Sequence, residues 1–145
     1  MRRFLCVTAL LGCLVLAGCG PSPSEKATRQ LIGKWECHAS TIDPEGLKPL
    51  EQFVLKAAQK VDAKFELTIR DPGTMTLRIV PSPKEQEWSK KWRVIAVEGD
   101  QVTTELTNLD DESVEVQRIT LVDADHFKFR PPNFSKELLF LRVQE

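Results

Sequence analysis

The chain has 145 residues, 41% of them hydrophobic and 28% charged, with a formal net charge of −1. That length makes one small domain, too short for two independent cores, and its ordinary apolar fraction excludes wholesale disorder. Nothing in it resembles the basic block that neutralises phosphates, which excludes a nucleic-acid partner.

The N-terminus carries the first legible signal. Arg2 and Arg3 precede an uncharged apolar run from Phe4 to Leu16. Those thirteen residues would make about 20 Å of helix, short of the ~30 Å core of a bilayer. The proportions are those of a secretory leader over residues 1–18. Removing it takes the net charge to −3. The run ends in Leu16-Ala17-Gly18-Cys19, which resembles the bacterial lipobox. The resemblance implies diacylglyceryl transfer to the Cys19 thiol, cleavage before Cys19 and acylation of the new amino terminus. Two or three acyl chains, at about 0.8 kcal/mol per buried CH₂, anchor a protein stably where one does not. The expected location is therefore the bacterial cell envelope, with the membrane held through lipid at Cys19. Gly20, where an Asp commonly retains such proteins at the inner membrane, tilts the expectation toward the outer membrane facing the periplasm. Cys6 and Cys13 leave with the leader, so Cys37 is left as the one free thiol and reads as a small buried apolar residue. Residues 19–28 read as the lipidated cysteine and a flexible linker rich in Pro and Ser, and residues 29–145 as the folded domain.

Within the domain, apolar and polar residues alternate with period two between turn signals. Gly33–Ala39 is the first predicted strand. Phe65, Leu67 and Ile69, then Met75, Leu77 and Ile79, form a hairpin around Asp71-Pro72-Gly73-Thr74, a type II turn, ended at Pro81-Ser82-Pro83. Strands follow over Trp88–Val97, Gln101–Asn108, Val114–Val122, Phe127–Arg130 and Leu138–Val143. In Val114–Val122 the apolar positions change parity between Val116 and Ile119, which predicts a bulge. The interruption lies between Pro49 and Ala63, where Leu50, Phe53, Val54, Ala57, Ala58 and Val61 share one helical face. An amphipathic helix is expected there, with that face packed on the sheet; the other use of such a face is a membrane surface. Eight short antiparallel strands are best closed as an up-and-down barrel, which leaves no edge exposed.

Several short motifs resemble the lipocalin-like domains of small bacterial lipoproteins. Gly33-Lys34-Trp35 is similar to the G-x-W signature of the first strand. Phe65 with Asp71-Pro72-Gly73-Thr74, Trp92-Arg93-Val94 before Gly99-Asp100, and Phe140-Leu141-Arg142-Val143 match further stretches over residues 31–143. The resemblance implies a mainly β, lipocalin-like barrel of about eight strands with one helix inserted after the first strand. It also implies a structural pair in which Arg142 stacks over Trp35, a contact worth roughly 0.5–2 kcal/mol.

A search for chemistry finds little. Cys37 and His38 are adjacent, and on a strand they face opposite ways. His126 near Asp123 and Asp125 reads as a turn, not a metal site, and Asp110-Asp111-Glu112 lacks the spacing of a calcium loop. No nucleophile elbow or phosphate-cradling loop is present, so neither an enzyme nor a cofactor is expected. Two functions stay open. One is a binding module for a small apolar molecule, lined by Trp88 and Trp92. The other is a structural or interaction lipoprotein with a filled core and an envelope protein as partner.

Overall fold

The computed structural model describes residues 20–71, 73–82 and 87–144. The leader, Cys19, Pro72 of the first hairpin turn and Pro83 lie outside the described residues. A helix, α1 (Pro23–Leu31), precedes the barrel. It starts because Ser22 and Glu25 form a capping box, each side chain accepting from the other's backbone N–H, with Pro23 in the first turn. This corrects the linker expected over residues 19–28: Pro23 to Thr28 are helical, and Ala27 and Leu31 are buried. The composition of that stretch resembles a linker, but its S-x-x-E order is a helix start.

Eight strands follow: β1 (Gly33–His38), β2 (Lys64–Arg70), β3 (Thr74–Val80), β4 (Glu87–Glu98), β5 (Gln101–Asn108), β6 (Val114–Leu121), β7 (His126–Phe129) and β8 (Leu138–Arg142). A second helix, α2 (Pro49–Lys60), connects β1 to β2. Every neighbouring pair is antiparallel and β8 returns to β1, so the sheet closes into the expected up-and-down barrel. The hairpin turn between β2 and β3 depends on Gly73, whose φ of +72° favours glycine.

The inward residues alternate as the period-two pattern requires. Trp35, Phe65, Leu67, Ile69, Met75, Trp92, Val102, Leu106, Ile119, Phe127, Phe129 and Phe140 form one buried cluster. The rings interlock: Trp35 meets Phe127 edge-on at 4.5 Å between centroids, Phe127 stacks on Phe140 at 5.6 Å, and Phe129 meets Phe140 at 6.2 Å. Burying each such side chain stabilises the fold by about 1.5–3 kcal/mol, and the ring contacts add to that.

Two expectations need correction. The predicted bulge between Val116 and Ile119 is absent, because β5 and β6 pair without a shift from Gln101↔Thr120 to Thr107↔Val114. Val114 and Val116 simply face outward, each 59% exposed, while Glu115 and Gln117 share the parity of buried Ile119. The register shift lies in β4 instead, between Val94 and Ala96. It leaves Ile95 exposed and turns Val97 toward the core.

The second correction concerns α2. Leu55 is its buried residue, whereas Leu50, Phe53, Val54 and Val61 of the expected packing face are exposed. The opposite face is held down by hydrogen bonds. Gln59 Nε2 donates to the carbonyls of Ala39 and Ile42 at 3.0 and 3.3 Å, and Gln52 Nε2 donates to that of Leu47 at 3.0 Å. Glu51 accepts from the Ser135 N–H at 2.9 Å and from its hydroxyl at 2.5 Å.

Candidate functional site

The two ends of the barrel differ in chemistry. At the α1 end, the Arg142 guanidinium lies over Trp35, 4.1 Å from the ring centroid. The same guanidinium donates to the carbonyls of Gln30, Ile32 and Ala124, and Trp35 Nε1 donates to Leu31 at 2.9 Å. Arg142 thereby ties the end of α1 to the β6–β8 side of the sheet, using the forked donors that lysine lacks. Gly33 makes room for it: at φ +143°, an added Cβ would sit 2.7 Å from Arg142 Nη1. This is a structural clasp.

At the α2 end, charged and polar side chains point inward. Lys90 shares the parity of Trp88 and Trp92, and its ammonium lies 5.0 Å from the Trp88 ring centroid. It also donates to Glu115 at 2.7 Å, while Gln117 Nε2 donates to the other oxygen of that carboxylate. The Lys90 bond holds the Glu115 carboxyl below its ordinary range. Gln117 Oε1 is buried and has no hydrogen-bond partner among the described residues. Sequence reasoning missed this trio, although the position of Lys90 between two tryptophans of one parity signalled it.

Removing one partner of this pair should cost more than replacing both by apolar residues. Glu115→Ala is expected to lower stability by roughly 1 kcal/mol, after allowing for solvent at its half-exposed carboxylate. Lys90→Met/Glu115→Leu should be near neutral. Urea midpoints for the two variants check the asymmetry, and equal losses would contradict it.

Trp88 and Trp92 share one parity of β4 but differ in burial. Trp92 is core, with its Nε1 donating to the Arg70 carbonyl at 3.3 Å. Its edge borders an outer cleft of about 600 Å³ between α1 and β4, with Thr28, Asp71 and Val94. Trp88 is half-buried at the α2 end. A second cleft of about 790 Å³ runs beside β8 over Cys37, Ile42, Leu139 and Leu141. A third, of about 690 Å³, is polar and reaches Glu115 and Gln117 where β6 and β7 pair through only Thr120↔Lys128 and Leu121↔Phe127. All three open to solvent.

Several other titratable groups are engaged locally. His38 bonds Glu36 at 3.2 Å on the outer face, while Cys37 points inward and is buried. Lys64 first, then His38, lowers the Glu36 carboxyl. Burial pushes the Cys37 thiol up from its ordinary 9.0 to about 11. Iodoacetamide at pH 8 should therefore leave the folded protein unlabelled at Cys37 and modify it fully in urea. Equal labelling rates would contradict the burial. His126 Nδ1 contacts both Asp123 oxygens, at 2.7 and 2.8 Å, closing the turn before β7. Asp111 accepts from the Ser113 N–H and hydroxyl, which lowers its carboxyl and orders the β5–β6 turn. Among the described residues no three His, Cys, Asp or Glu are grouped to hold a metal, and no helix is long and apolar enough to cross a membrane.

The fold and these contacts define a small closed β-barrel, clasped at one end and polar inside at the other. No protein-family model matches the chain, and neither the curated proteins nor the solved structures compared with it give a match.

Proposed function

We propose that the chain is a lipid-anchored lipoprotein of the bacterial envelope, held at Cys19, with a non-enzymatic, lipocalin-like barrel that acts through its outer surface. The lipobox-like Leu16-Ala17-Gly18-Cys19 supports the anchor, and Gly20 in place of Asp favours the outer membrane. The observation that carries the surface-acting part is the interior: Trp35, Phe127, Phe129 and Phe140 interlock where a ligand-carrying barrel would hold its cargo. A barrel packed this way serves as a platform.

One observation favours a second reading. The bare Gln117 Oε1 beside Lys90 and Glu115 would accept from a small molecule bearing an N–H or O–H group, entering through the β6–β7 cleft. Native mass spectrometry of the protein purified from its own envelope separates the two. The platform reading expects the mass of the lipidated polypeptide alone. A stoichiometric small molecule, lost on Gln117→Leu, would replace it with the ligand-binding reading.

A further inference from the structure

Most amphipathic helices on a small domain bury their apolar side. In α2 that side is turned to solvent, with Leu50 74%, Phe53 72%, Val54 47% and Val61 57% exposed. The orientation is held by Gln52, Gln59 and Glu51, whose bonds to the 39–47 connection and to Ser135 pin the polar side inward. Rotating the helix to bury its apolar side would break all of them. The outward residues Leu50, Phe53, Val54 and Ala57 stand at i, i+3, i+4 and i+7, the spacing by which a helix seats in a groove. Lys56 and Lys60, both exposed, follow Phe53 and Ala57 by three residues and so border one edge of this strip.

We propose that α2 is a recognition helix, docking through Leu50, Phe53, Val54 and Ala57 into an apolar groove of a partner protein whose rim carries carboxylates opposite Lys56 and Lys60. The inference rests on the surface-acting reading above and names the surface. Charge decides against a second copy of this chain, because an antiparallel pair sets the lysine edge of one helix against the same edge of the other. Chain order also sets the tether and α2 at different ends of β1. α1 adjoins the start of β1, and the 39–48 connection leads from its other end to α2; the two ends of β1 are about 20 Å apart at ~3.3 Å per residue. Gly20 to Ser22 add only about 10 Å of reach between Cys19 and α1.

The test places p-benzoylphenylalanine at Val54 of the full chain in its native envelope, and at Val116 on the outer wall of β6 as a second site. Irradiation should join Val54 to one polypeptide, at an apolar segment flanked by Asp or Glu. The yield should fall about tenfold in Lys56→Glu/Lys60→Glu and persist in Lys56→Arg/Lys60→Arg, with unchanged thermal midpoints in both. A product of twice the chain mass, a phospholipid adduct, no product, or indifference to charge reversal would each overturn the proposal. So would pelleting of the unlipidated domain with phosphatidylglycerol vesicles. Products from Val116 without any from Val54 would remove α2 while leaving the surface-acting reading intact; a small molecule found by native mass spectrometry would remove that reading itself.

Discussion

Trp35→Ala is expected to lower the stability of the folded domain by about 3–5 kcal/mol, the range for deleting a buried aromatic side chain. Three losses act together. The ring leaves a cavity beside Phe127, its Nε1 bond to the Leu31 carbonyl disappears, and the Arg142 guanidinium loses the surface it stacks on. A small domain has a total stability of only about 5–15 kcal/mol, so this loss takes a large fraction of it. Arg142→Lys should cost less, about 2 kcal/mol, because the charge remains while the planar fork that serves Gln30, Ile32 and Ala124 is gone. Urea titrations followed by far-UV circular dichroism measure both. A loss under 1 kcal/mol for Trp35→Ala would mean that the α1 end does not depend on this clasp.

Cys19→Ala is expected to abolish incorporation of labelled palmitate. When the leader is also exchanged for an ordinary cleavable one, the domain should move from the detergent phase to the aqueous phase. The size of the effect follows from the anchor proposed above, since two acyl chains at about 0.8 kcal/mol per CH₂ dominate any other contact with the bilayer. Palmitate label persisting in Cys19→Ala, or absent from the unsubstituted chain, would defeat the lipoprotein reading.

Most strands are legible in the amino-acid order, because a strand with one face in a core must alternate, and the turns between them carry Gly, Pro, Asp and Asn. The predicted and observed limits of Gln101–Asn108 coincide, as does the start of the final strand at Leu138. Composition alone misleads at α1: Ser22-Pro23-Ser24-Glu25 has linker composition but capping-box order, and order decides. The interior trio is hidden for a different reason. An apolar count along β6 follows Val114 and Val116, which face solvent, and passes over Glu115 and Gln117, which face inward. Once Lys90 on β4 reaches across, those polar positions become tolerable inside.

The amino-acid order by itself determined the leader-like N-terminus and the strand periodicity, because each depends on residues close together in the chain; closure of the barrel rests on β8 returning to β1, with Trp35 opposite Arg142. The order also determined that residues 49–60 form an amphipathic helix. Which side of that helix meets the barrel was decided only in three dimensions. Its partners are the carbonyls of Ala39, Ile42 and Leu47 and the N–H of Ser135, eighty-four positions beyond Glu51. Hydrogen bonds to groups outside the helix, that to Ser135 above all, outweigh a local hydrophobic pattern, and they leave its apolar side facing out.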